Sequence, residues 1–169
     1  MRMAVILSLI TTLLPSIVRV RAENSEIGAV IQDAGARSKT FRGLLATIEK
    51  TDGLVYVENG TCGHSVRACL SLSVKVAGPN RLLRIQVDAR LKDCELIEGI
   101  GHELQHAIEI LSNPHVTDMH SAYSMFEQIG KTDSGRFETR EAVHVGEQVG
   151  DECRAVAAAD RAKGSTARK

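Results

Sequence analysis

The residues whose types and spacing could do chemistry are His102, Glu103 and His106, within the stretch Glu98 to Glu109 (EGIGHELQHAIE). The spacing is H-E-x-x-H. On a helix, positions i and i+4 share a face, so both histidines can offer a ring nitrogen to one ion. Zn2+ accepts such nitrogens and takes three protein ligands at a catalytic site, which leaves a fourth position open. There it lowers the pKa of a water toward neutrality. A carboxylate beside that water can take its proton as general base, the role the spacing gives to Glu103.

Two histidines do not complete such a site. The extended pattern H-E-x-x-H-x-x-G-x-x-H is absent, because Glu109 and Ser112 stand where its glycine and third histidine would be. A carboxylate further along the chain is the natural third ligand. Glu127, Glu138 and Glu141 are the candidates. Glu138 is favoured because Phe137 beside it can anchor that part of the chain in a core. Glu127 shares its helix face with His120 and Ser124, away from the apolar stripe, which fits a solvated residue better. Glu95 and Glu109 fall within about 60° of the two histidines at about 100° per residue. Each is therefore placed to accept a hydrogen bond from the far nitrogen of a ligating histidine. His64, His115, His120 and His144 have no partner at metal spacing and read as ordinary surface or capping residues.

The elements that must position these residues are legible in outline. Ile97, Ile100, Leu104, Ala107, Ile108 and Leu111 form a stripe opposite the histidines, so the central helix can bury one side and line a cleft with the other. Asp93 is placed to cap it and Asn113-Pro114 ends it. Before it, residues 23 to 37 read as a loose lead-in or short helix. Ser38 to Lys50 reads as a helix with Phe41, Leu44, Leu45 and Ile48 on one face. Leu54 to Glu58 is β-prone. Ala68 to Val76 and Leu83 to Val87 alternate around Gly78-Pro79-Asn80, which predicts a hairpin. The fold class expected is α+β, with a small antiparallel sheet of about three strands on the H-E-x-x-H helix and two further helices after it. Those two are a helix after Pro114 striped by Val116, Met119, Tyr123, Phe126 and Ile129, and one from Phe137 to about Arg161. Lys131 to Arg136 lies between them as a polar loop.

This order resembles the zincin metallopeptidase architecture. Gly101 to Glu109 (GHELQHAIE), Ile129-Gly130 and Phe137-Glu138-Thr139 with Ala142 and Gly146 are similar to a group of small, secreted bacterial H-E-x-x-H proteins. That group is mostly uncharacterised and described as gluzincin-type metallopeptidases. The likeness extends to Val55 to Glu58 and Arg81 to Val87, and so to most of the chain. It implies that the glutamate of F-E-T, Glu138 here, is the third zinc ligand, and that an extended peptide pairs with the sheet edge. The pair Cys62 and Cys69 departs from the group.

Composition bounds partners and compartment. The chain has 169 residues, enough for one domain. Lys and Arg number 21, as do Asp and Glu, and there are three Phe, two Tyr and no Trp. No basic patch carries interleaved aromatics, which argues against nucleic acid as a partner. Met1-Arg2-Met3, the apolar run Ala4 to Leu14 and the site Val20-Arg21-Ala22 read as a secretory leader over residues 1–22, cut after Ala22. The run is too short to span a bilayer, so no membrane anchor is expected after the cut. The protein is expected to be secreted or periplasmic. Four cysteines then suggest two disulfides. Cys62–Cys69 closes a short loop, and Cys94–Cys153 ties the start of the central helix to the last one. The basic end, Arg161 to Lys169, reads as a solvated tail, disordered over residues 163–169. Residues 23–169 thus make a single domain, expected to be a Zn2+-dependent hydrolase acting on a peptide or protein substrate. The alternative is a catalytically inert, zinc-stabilised binding or structural protein.

Overall fold

Ser38 sits where two helices meet, and both depend on it. Its N–H closes the helix before it on Ala34, and its Oγ accepts from the N–H of Phe41 to start the next. In the computed structural model, which describes residues 18–63, 67–90, 93–133 and 136–166, these are α1 (Ser25–Arg37) and α2 (Lys39–Ile48). Of the two readings of residues 23 to 37, loose lead-in or short helix, the helix is the one formed, capped by the Asn24 side chain on the N–H of Ile27.

The fold is α+β, with five helices and a mixed five-stranded sheet among the described residues. The strands are β1 (Val20–Ala22), β2 (Gly53–Asn59), β3 (Ala68–Leu70), β4 (Lys75–Ala77) and β5 (Asn80–Val87). Their order is β1-β2-β5-β3, with β4 beside β3 on the same edge of β5. The sheet is larger than expected and is not antiparallel throughout. β1 pairs with β2 and β2 with β5 in parallel, while β3 and β4 run antiparallel to β5. Alternation shows that one face is buried but says nothing of strand direction. The run read as one strand from Ala68 to Val76 breaks into β3 and β4, because Ser71 Oγ accepts from the N–H of Ser73 and the backbone turns at Val74. The expected turn at Gly78 is present, with φ at 58°, a value that glycine adopts without steric cost.

The register puts Val20, Val55, Leu83 and Ile85 on one face, all buried in the core. The other face carries Arg21 over the Tyr56 ring and Arg84 beside Glu58. Helix α3 (Cys94–Leu111) packs on the buried face against β2, β5 and β3, and α1 packs on β1 and β2. Leu96, Ile97, Ile100, Leu104, Ala107, Ile110 and Leu111 sink into that core. Asp93 precedes α3 but makes no side-chain cap; its carboxylate pairs with Arg37.

Arg81 fixes the far end of α3. It lies on the core face of β5, 4% exposed. Its guanidinium grips Asp52 at 2.9 and 2.8 Å and donates to the carbonyls of Ile110, Leu111, Asn113 and Val116. Those carbonyls include the ones a helix end leaves without partners, so one buried cation completes the C-terminus of α3. Gly53 opposes Arg81, and a side chain there would overlap Leu111.

Beyond α3 come α4 (Met119–Ile129), then β6 (Lys131–Asp133) and β7 (Arg136–Glu138) paired antiparallel, then α5 (Arg140–Thr166). The stretch from Lys131 expected as a polar loop therefore holds a small two-stranded sheet. The last helix starts three residues later than expected and runs on through Thr166, so residues 163–166 of the expected tail are helical; 167–169 lie outside the described residues. The stripe expected on α4 is split: Phe126 is buried, with Val116 before the helix, while Met119, Tyr123 and Ile129 are exposed.

Both disulfides are the expected ones, Cys62–Cys69 and Cys94–Cys153. The apolar run Ala4 to Leu14 of the expected leader lies outside the described residues. Val20–Ala22 does not: it forms β1, so a cut after Ala22 would remove a strand. No helix among the described residues is long and apolar enough to cross a membrane.

Candidate metal centre

Helix α3 crosses α5 at close range, and glycines permit it. A β-carbon on Gly101 would stand 3.0 Å from Val149 Cγ2, and one on Gly146 3.0 Å from His102 Cβ. The crossing sets the polar side of α3 into a cleft of about 640 Å3. Gly99, His102 and Glu103 form its floor, Arg67 and Ala68 one wall, Val143 and Gly146 the other. Glu138 enters from the end of β7 rather than from the helix where it was expected.

His102, His106 and Glu138 offer ligand atoms that all lie within 4.8 Å of one another. His102 Nε2 is 3.2 Å from Glu138 Oε2 and 4.0 Å from Glu103 Oε1. The two imidazoles meet edge to face at 4.8 Å between centroids. His106 also packs edge-on against Phe126, which stacks on Phe137. Phe137 is thus the expected anchor beside Glu138.

His106 Nδ1 is 2.8 Å from Glu109 Oε2. That contact fixes the ring through Nδ1 and leaves Nε2 free of it. Nε2 is buried, and among the described residues it is the one buried side-chain nitrogen or oxygen with no hydrogen-bond partner. A buried acceptor left this way is costly, and a metal ion is the partner that the donor set around it suits. Two imidazole nitrogens and one carboxylate oxygen are a known Zn2+ ligand set.

Glu103 is 6% exposed. Strand β3 explains how a buried carboxylate is held there. Arg67 C=O and the N–H of Ser71 bond inward to β5, so by alternation Ala68 and Leu70 turn their backbone groups to the free edge. The Leu70 N–H donates to the Glu103 carboxylate. Burial pushes the Glu103 carboxyl above the usual range, against the opposing pull of His102, His106 and that N–H. His102 is raised too: burial works against its charged form, but the hydrogen bond to Glu138 and the negative charges of Glu103, Glu138 and Glu109 outweigh it.

The structure brings together His102, Glu103, His106 and Glu138, with Glu109 behind His106. Glu95 lines the same cleft but pairs with Arg67 at 3.2 Å rather than with a histidine. Glu127, Glu141, His115, His120 and His144 are exposed and outside the cluster; His64 lies outside the described residues. Sequence reasoning missed Thr139, whose Oγ1 donates to Glu109 at 2.6 Å and accepts from the N–H of Ala142 at 3.1 Å. A threonine just before a helical run is a capping signal, but a helix start placed at Phe137 hides it. No protein-family profile, curated protein or solved structure matches the chain.

Proposed function

We propose that this protein is an exported, zinc-dependent hydrolase of zincin type that cleaves peptide bonds. The observation that carries the reading is the buried, unpartnered His106 Nε2, in a cluster where His102, His106 and Glu138 bring ligand atoms within 4.8 Å of one another and Glu103 stands alongside. His102, His106 and Glu138 would hold the ion. When bound, Zn2+ supplies a Lewis acid that polarises a carbonyl and acidifies water. Glu103, steadied by the Leu70 N–H, would take a proton from the attacking water and return it to the leaving amine. Glu109 keeps the His106 tautomer that presents Nε2. Besides the Leu70 N–H committed to Glu103, the outer edge of β3 carries the outward N–H and C=O of Ala68, where an extended peptide can pair beside the cleft. The two disulfides fit an oxidising, extracellular setting.

Metal content by mass spectrometry tests the site, on the wild type and on His106→Ala and Glu138→Ala. One zinc per chain is expected, lost in both variants. Glu103→Gln is expected to keep the zinc and to lose at least about 100-fold in cleavage of a peptide mixture. A wild type that takes up no zinc, or a glutamine variant of full activity, overturns the reading. Zinc that raises the melting temperature of a protein that cleaves nothing would mark a structural metal site instead.

A further inference from the structure

Three hydrogen bonds run in series through the back of the metal cluster. Glu109 Oε2 meets His106 Nδ1 at 2.8 Å, Glu109 Oε1 accepts from Thr139 Oγ1 at 2.6 Å, and Thr139 Oγ1 accepts from the Ala142 N–H at 3.1 Å. Each oxygen of one carboxylate is thereby committed to a different part of the fold. One holds a ligand on α3. The other holds the junction between β7 and α5, one residue from the ligand Glu138. Thr139 is 6% exposed, and the Glu109 side chain is 11% exposed. Glu138, by contrast, has a side chain 48% exposed at the end of a three-residue strand. Phe137 and the pairing with Lys131 hold the chain before it, and Thr139 ties the chain after it to the His106 side through Glu109.

We propose that Thr139 is a positioning residue for the metal site. By donating to Glu109 it locks the β7–α5 junction to the His106 side of the cleft and so sets the Glu138 carboxylate where it closes the ligand triad. The inference rests on the zinc reading above. It gives Thr139 a task beyond capping α5, because a cap needs only the acceptor, whereas the link to Glu109 needs the hydroxyl proton. Hydrogen-bonding partners behind a metal ligand commonly carry a 10- to 100-fold share of affinity.

The two roles separate by substitution. Thr139→Ser keeps donor and acceptor. Thr139→Val loses both. Thr139→Asp keeps a helix-capping acceptor and loses the donor; its added negative charge by itself favours zinc, so a loss of affinity runs against that trend. Zinc affinity is measured by competition with a chromophoric chelator, and the melting temperature of each metal-free protein reports folding. The expected result is a loss of about 10- to 100-fold for Val and Asp and less than about threefold for Ser. In a Glu109→Ala background, which keeps all three ligands, the Val penalty should shrink below about threefold, since the carboxylate that Thr139 works through is gone. Wild-type affinity in the Val and Asp variants overturns the inference, as does a Val penalty that survives in full without Glu109. A wild type that binds no zinc sinks the proposed function and this inference with it. A wild type that loses zinc with His106→Ala and is indifferent to Thr139 sinks this inference alone.

Discussion

His102 and Gly146 make contact where α5 crosses α3, and that contact is a sharper probe of the site than any ligand. A β-carbon at 146 would sit 3.0 Å from His102 Cβ and 3.4 Å from its Nδ1, so the histidine must give by a few tenths of an ångström. Alanine is the better helix former by about 1 kcal/mol, and this gain offsets the crowding in the metal-free protein. Gly146→Ala is therefore expected to leave the metal-free melting temperature within a few degrees while weakening zinc about three- to tenfold, because the push falls on a ligating ring and uses most of the roughly half-ångström margin that ligand geometry tolerates. Gly43→Ala is the control: nothing lies within 4 Å of its β-carbon, so it should add about 1 kcal/mol of stability and leave zinc binding alone. Equal zinc affinity in the two variants would detach Gly146 from the site. At this scale the sequence was most readable where chemistry follows from local spacing. His102, Glu103 and His106 share one helix, and Glu109 lies one turn past His106, so their relation needs no tertiary knowledge. Glu95 satisfies the same angular rule but meets Arg67 instead, and that partner comes from a strand which spacing along α3 cannot reveal.

Between elements, a single node joins four helices. Arg37 at the end of α1 pairs with Asp33 and Asp93 and reaches Cys94 Sγ and the carbonyl of Cys153. Next to it, Glu152 of α5 accepts from Ser38 Oγ, Thr40 Oγ1 and the Thr40 N–H, closing the start of α2. The Cys94–Cys153 disulfide spans 59 residues of chain, for which the chain-entropy argument gives about 4 kcal/mol. Burial works to raise the Glu152 carboxyl, but its bonds to Ser38 and Thr40 win and hold it below its ordinary value of 4.5. A depressed carboxyl contributes stability that is present above the unfolded value and lost as pH falls through the folded one. Glu152→Gln is thus expected to cost about 1–2 kcal/mol at pH 7, with the gap narrowing below pH 4.5 and closing once the native carboxylate is protonated. Urea midpoints of the metal-free proteins at pH 7 and in acid would read this, and a gap that ignores pH would refute it. Much at this scale was legible: α2, α3 and both disulfides follow from periodicity, compartment and loop length. The pairing of β6 with β7 was not, since neither three-residue run carries a period long enough to read. The direction of β2 against β5 was not either, because it is set by the crossover through β3 and β4.

For the molecule as a whole, the N-terminal edge of the sheet decides where a leader can be removed. A local reading of Val20-Arg21-Ala22 sees small and branched residues at the right offsets from a cut. The folded chain uses the same residues as β1. Val20 is 6% exposed within the core. The carbonyl of Arg19 accepts from the N–H of Val55, and its guanidinium donates to Gly53 O and the Asn80 side chain. The N–H of Arg19 is tied to Glu49 at 2.8 Å. A cut after Ala22 would strip these bonds, leave a gap in the core where Val20 sits and expose the outer edge of β2. Losing a buried valine side chain alone costs about 1.5–3 kcal/mol, a large part of the margin of a domain this size. A cut at or before Arg19 keeps all of it and still removes the whole apolar run. The intact mass of the protein recovered after export is therefore expected to place its first residue no later than Arg19. Deleting residues up to Ala22 from that form should lower its melting temperature by several degrees. A mature chain that starts at Glu23 and is as stable as the longer form would show that β1 is dispensable, and that the working sheet has four strands with an open edge at β2.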